Sequence, residues 1–308
     1  MSTSVADALG RVRTPAEPGP GPLSISSLQA LDLAIGDRLG GLLAGDYRSV
    51  FGGPGTELYQ LQPYAPGDDV RQIDWNVLAR SGEAYVRVKL AERMLVTWIV
   101  ADMSASMAFG TGDRRKTDVA EGVSIAIGHL ATQRGNRLGV VAFGAGGQRF
   151  QRPGQGRRGL LLALAAMRDA PAGRGSLQDA LALVEGLALR RSLVVVVSDF
   201  RGPLEECRDG LLRVAARHRT LAVEIRDPRE QRLADVGEVR LEDPETGRQM
   251  LVDTRDARLR DLFARAAEDE RRTVETMLST TGTRHVVLST DRDWLEPLTS
   301  FLRRGDRR

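Results

Sequence analysis

The chain has 308 residues, 42% apolar and 28% charged, which is length enough for one large domain with an appended segment and too ordinary a composition for wholesale disorder. Its 44 basic and 41 acidic residues are interspersed and leave a formal charge of +3, so the surface reads as mixed and solvated, and nucleic acid is not an expected partner. The single cysteine, Cys207, excludes an internal disulfide and cysteine-rich zinc sites, and the longest apolar run, Leu160 to Met167, falls far short of the roughly 20 residues that span a bilayer; a cytoplasmic protein without a membrane span is expected.

In chain order, residues 1–22 are polar, carry Pro15, Pro18, Pro20 and Pro22 among glycines, and read as a flexible tail unlike a signal peptide. From Ser24, a capping residue, to Leu43 the leucines at 28, 31, 39 and 42 follow a helical spacing. A glycine-rich bend at Phe51 to Gly55 and a strand-like stretch near Leu58 to Tyr64 come next. The turn Pro66-Gly-Asp-Asp69 then leads to a short helix, capped by Asp68 or Asp69, that carries Val70, Ile73, Val77 and Leu78 on one face. Val86, Val88 and Leu90 alternate with Tyr85, Arg87 and Lys89 as a strand. Asp68, Asp69, Arg71, Asp74, Trp75 and Arg80 read as capped turns and buried ion pairs that pin residues 23–93 to the main domain.

Residues 94–308 are more regular. Leu95 to Ala101 is an apolar strand, followed by a helix around Asp118 to Arg134, a strand at Leu138 to Phe143, and helices near Gly159 to Arg168 and Leu177 to Leu189. The run Leu193 to Ser198 fits a strand buried on both faces, as a parallel sheet requires. A helix at Leu204 to Arg217, a strand at Leu221 to Ile225, an edge hairpin near Val239 to Val252, a helix at Ala257 to Leu278, a strand at Val286 to Leu288 and a last helix from Trp294 complete the series. The alternation predicts an α/β fold with a doubly wound, mostly parallel sheet of Rossmann-type layering, preceded by an irregular, partly β segment.

In such sheets ligands bind beyond the carboxyl ends of the strands. The first regular strand runs into Asp102-Met-Ser104-Ala-Ser106, which lets one carboxylate and two hydroxyls converge on a point. Ser176 opens a later helix after Gly173-Arg-Gly175, and Asp199 ends the most apolar strand. All candidate ligand atoms are oxygen, in a small number that suits Mg²⁺, with Mn²⁺ or Ca²⁺ as alternatives. Two aspartates leave such an ion at most charge-balanced, with exchangeable positions open to an incoming carboxylate.

Asp-x-Ser-x-Ser, a later hydroxyl after a glycine turn and a later strand-terminal Asp resemble the metal-ion-dependent adhesion site of von Willebrand factor A domains. That resemblance implies Asp102, Ser104, Ser106, Ser176 and Asp199 as the metal positions, with Ser176 standing where threonine is usual. The upstream stretch Tyr64-Ala-Pro-Gly-Asp-Asp-Val-Arg-Gln-Ile-Asp-Trp-Asn-Val-Leu-Ala-Arg80 is similar to the signature of the bacterial family DUF58, and the similarity continues through Val86-Arg87, Glu92-Arg93 and Phe109-Gly110. Gln60, Gln62 and Ala91 depart from the charged residues usual there. Membership implies a MoxR-type AAA+ ATPase as partner and a client protein on which the pair acts. The open coordination position of the ion is expected to take an acidic side chain of the ATPase or client, and the chain to serve as adaptor or co-chaperone without being an enzyme.

Rival chemistries lack parts. Gly110 to Thr117 resembles a phosphate-binding loop, but Arg115 stands where glycine is needed and the stretch lies well beyond its strand. A phosphatase with Asp102 as nucleophile needs an acid/base carboxylate two positions on, where Ser104 stands. His129, His218 and His285 show no metal-ligand or triad spacing. The alternatives carried forward are a Mg²⁺-dependent hydrolase using Asp102 and Asp199, and a purely structural module.

Overall fold

The computed structural model describes residues 59–89, 95–111, 114–132, 135–144, 147–168, 175–242 and 247–303. The expected tail, the helix from Ser24 to Leu43 and the bend at Phe51 to Gly55 lie outside those residues.

A two-stranded antiparallel sheet comes first, β1 (Tyr59–Pro63) against β2 (Tyr85–Lys89). Between them the expected single helix is two pieces: a 3-10 turn at Val70–Gln72 capped by Asp69, and α1 (Trp75–Ser81) capped by Asp74, whose Oδ1 accepts from the amides of Asn76 and Val77. Asp68 accepts from the Ala65 amide. Asp68, Asp69, Arg71, Trp75 and Arg80 are exposed, so at these five the expectation of buried pairs is corrected: Asp68 and Asp69 satisfy backbone N–H groups in tight turns, and only Asp74 is buried.

The main sheet holds β3 (Val96–Met103), β4 (Arg137–Gly144), β5 (Gly147–Gln155), β6 (Leu193–Ser198), β7 (Arg219–Arg226) and, after the hairpin described below, β10 (Arg284–Ser289). Their spatial order is β10-β7-β6-β3-β4-β5, parallel throughout except for β4 with β5. Alternate residues of the central strands feed two cores. Ile99, Ala101, Val140, Ala142, Val195 and Val197 pack with α2 (Lys116–Ala131), α3 (Gly156–Arg168) and α7 (Leu295–Arg303) on one face. Trp98, Val100, Val141, Val194 and Val196 pack with α4 (Leu177–Leu187), α5 (Leu204–Arg217) and α6 (Ala257–Thr280) on the other. Helices on both faces explain why β6 is an unbroken apolar run: neither side of it meets water.

Two details differ from the expected order of elements. β5 is an unanticipated antiparallel edge strand, made of Gln, Arg, Gly and Pro around a single exposed Phe150 rather than of β-branched residues, and it contains Pro153 as edge strands tolerate. The expected hairpin, β8 (Glu238–Glu242) with β9 (Gln249–Asp253), forms its own two-stranded sheet instead of extending the main one.

Candidate metal centre

The chain leaves β3 toward β4 on one side and later places β6 on the other, so the carboxyl ends of β3 and β6 bound a crevice at the point where the strand order reverses. Asp102 lies at the end of β3, pairs with Phe143 of β4 and is 5% exposed. Its Oδ1 accepts from the Ser104 amide at 2.9 Å and its Oδ2 from the Ser198 hydroxyl at 2.6 Å. The hydroxyls of Ser104 and Ser106 lie 3.1 Å apart. One turn of the chain therefore gathers a buried carboxylate and two hydroxyls, as the alternate spacing predicts.

Asp199 follows β6 and is buried beside this loop. The next residue, Phe200, turns through φ 55°, the one non-glycine with positive φ among the described residues. Its amide donates to the Ser198 hydroxyl and its side chain is buried in the core, so packing holds a backbone conformation that L residues rarely adopt. Burial first, and then the charge of Asp199, push the Asp102 carboxyl up to about 6, against the hydrogen bonds from Ser104 and Ser198 that favour its ionised form. The two carboxylates repel each other in a site that lacks enough positive charge.

Ser176 is brought to the rim by close backbone packing. The Gly175 amide donates to the Gly144 carbonyl at 3.0 Å, and a Cβ on Gly144 would fall 2.5 Å from the Met103 carbonyl oxygen. The Ser176 hydroxyl itself caps α4: it accepts from the Asp179 amide at 3.1 Å and donates to the Asp179 carboxylate at 2.8 Å. Of the five predicted positions, Asp102, Ser104 and Ser106 share one loop, Asp199 faces them from the next strand, and Ser176 has its hydroxyl turned to its own helix.

Sequence reasoning weighed Lys116 as part of the stretch that resembles a phosphate-binding loop, and α2 begins at that residue. It did not foresee where the ammonium goes. Lys116 is 0% exposed, and its Nζ lies 2.6 Å from Asp199 Oδ2 and 2.7 Å from Glu230 Oε1. The other oxygen of Asp199 accepts from the Arg201 amide at 3.1 Å, and Arg201 reaches Glu230 at 3.4 Å. A lysine held between two carboxylates is no phosphate ligand, which completes the case against a nucleotide loop. Ser198, Glu230 and Arg201 were likewise unforeseen, because nothing local marks them. Their partners lie far away in sequence.

The remaining titratable groups stand elsewhere. His285 pairs with Glu224 at 2.8 Å, and His218 accepts from the Ser192 amide. Burial and the nearby Asp102 charge push the Cys207 thiol up to about 12, which leaves it inert. Among the described residues no three His, Cys, Asp or Glu side chains form a metal-ligating group. The donor set instead comprises carboxylates and hydroxyls. The hydroxyl pair and Asp102 fit a small, hard cation. Asp199 fits it only while sharing its charge with Lys116.

The fold is α/β, with a central, mostly parallel six-stranded sheet covered by helices on both faces. Residues 60–273 match the family model described as protein of unknown function DUF58, and the chain belongs to that family. An uncharacterized protein of Mycobacterium tuberculosis is 42% identical over 293 residues, covering 92% of this chain and 91% of its own. Among solved structures, the conserved hypothetical protein BatB from Bacteroides thetaiotaomicron is similar at a TM-score of 0.41 and 11% identity, covering 68% of this chain and 98% of BatB. A von Willebrand factor type A structure from Catenulispora acidiphila is similar at 0.35 and 16%, covering 63% and 44%. No helix among the described residues is long and apolar enough to cross a membrane.

Proposed function

We propose that this protein is a metal-dependent protein-binding module, without catalytic activity of its own, that acts in the cytoplasm as adaptor or co-chaperone to a MoxR-type AAA+ ATPase on a client protein. Asp102, Ser104, Ser106 and Asp199 would hold the ion, Mg²⁺ by the chemistry of the donors and Mn²⁺ or Ca²⁺ as alternatives, with Ser176 joining if its hydroxyl leaves Asp179. The von Willebrand factor A-like domain would be residues 94–308, with residues 23–93 as a family-specific segment before it. The observation that carries the reading is the pair of neighbouring buried carboxylates, Asp102 and Asp199, beside two hydroxyls 3.1 Å apart. Such a site is short of positive charge and offers only hard, oxygen donors. A bound divalent cation would supply that charge and an open position for an aspartate or glutamate of the partner.

The chain's own residues do the rest. Ser198 and the Ser104 amide orient Asp102, and the Gly175–Gly144 contact sets the distance of the rim. Isothermal titration of the protein against the ATPase tests the reading: binding is expected to require Mg²⁺ and to drop at least tenfold in Asp102→Ala. Unchanged affinity and unchanged Mg²⁺ dependence in that variant would sink it, and Mg²⁺-dependent turnover of generic phosphoesters would replace it with the hydrolase alternative.

A further inference from the structure

Only two of the 44 basic residues are lysine, and one of them, Lys116, is the fully buried group between Asp199 and Glu230. A compact ammonium fits between two carboxylates where a planar guanidinium needs more room and more acceptors. Asp102, Asp199 and Glu230 set three carboxylates that are buried or nearly so against the buried Lys116, while Arg201, 40% exposed, reaches Glu230 at 3.4 Å and Glu270 at 3.9 Å from the solvent side. A divalent ion at the Asp102 loop would add two positive charges beside that ammonium. Part of what a bare pair of aspartates would give to such an ion is already taken by Lys116. The ammonium does not depend on Asp199 alone, because Glu230 holds it from the other side at a similar distance.

We propose that Lys116 is a built-in counter-cation that attenuates the divalent affinity of the Asp102/Asp199 site, so that stable occupancy needs the carboxylate of a bound partner. The proposal rests on the metal-site reading given above. It follows from Coulombic competition: a fixed positive charge in contact with Asp199 both neutralises that carboxylate and repels an incoming ion, and in a buried site neither effect is screened by salt. Glu230 works in the opposite sense. It draws the ammonium away from Asp199 and contributes negative charge of its own.

Two variants separate this from a structural role, because they move affinity in opposite directions. With Mn²⁺ alone as probe, followed by electron paramagnetic resonance of the free ion, Lys116→Met/Glu230→Gln is expected to bind about tenfold more tightly than the natural protein. Glu230→Gln alone, which leaves Lys116 to Asp199, is expected to bind about tenfold more weakly. A folding defect would weaken both. If the double variant binds no tighter, or Glu230→Gln no weaker, while Asp102→Ala still abolishes Mn²⁺ binding, the role of Lys116 is overturned and the metal site stands. If none of the proteins binds Mn²⁺ in a way that Asp102→Ala removes, the metal site falls and this inference with it. Should circular dichroism show the double variant unfolded, Glu230→Gln decides alone: weaker Mn²⁺ binding supports the proposal, and unchanged or tighter binding overturns it.

Discussion

The ends of β3 and β7 each carry a buried aspartate, and the two are provisioned in opposite ways. Asp227, just after β7 and 0% exposed, accepts from the Thr111 amide and hydroxyl, the Arg229 amide and the Thr290 hydroxyl. It ties the loops after β3, β7 and β10 together with donors on both oxygens. Asp102 accepts from the Ser104 amide and hydroxyl and from the Ser198 hydroxyl, and has a second carboxylate as neighbour. A buried carboxylate that is surrounded by donors is a structural clasp. One that is hydrogen-bonded but faces its own kind keeps an unmet demand for positive charge.

Removing each acid in turn should break or confirm that contrast. Asp227→Ala strands several buried donors at about 1–3 kcal/mol each, a total near 4 kcal/mol, and is expected to lower the melting temperature by roughly 8–16 °C. Asp102→Ala also loses the hydrogen bonds from Ser104 and Ser198 but relieves the repulsion with Asp199, and should stay within about 1 kcal/mol of the natural protein. Thermal melts in the presence of a chelator check both, and equal losses would erase the distinction.

A smaller effect comes from pH. The Asp102 carboxyl stands at about 6 in the folded protein and at about 3.9 in an unfolded chain. Between those values the native state holds a proton that the unfolded state has released. Stability from this group is therefore full below about pH 4, falls as the pH rises to about 6, and is flat above that, a change of roughly 3 kcal/mol. Asp102→Asn lacks the penalty. Its stability relative to the natural protein, from urea midpoints without divalent ions, is expected to grow by about that amount between pH 4 and 7. A difference that does not change with pH would remove carboxylate repulsion from the account.

The smallest effect belongs to Ser176. As the cap of α4 its loss in Ser176→Ala should cost about 1 kcal/mol of stability, with Mn²⁺ affinity changed less than twofold. A large loss of affinity instead would show that its hydroxyl leaves Asp179 to serve the ion.

Much of the sheet was legible because burial dictates composition. The run Leu193–Ser198 could only be a central strand, and α5 follows where the apolar spacing predicts. Asp102, Ser104 and Ser106 were legible because one loop holds all three. β5 was not, since an edge strand that meets water can be written in Gln and Arg. Nor was the destination of Lys116, whose partner Asp199 lies 83 residues away, or the role of Asp227, 116 residues from Thr111. Contacts closed by the fold over such distances leave no local pattern.

The close approach of Gly175 to Gly144, and of Gly144 to the Met103 carbonyl, means that the three loops are gauged against one another by atoms that are missing. A side chain at 144 would act as a shim between the ends of β4 and β3, and one at 175 would lift the Ser176 loop off Gly144 and Gly147. The clearance of the site is thus written in two glycines that no ion or partner would ever touch.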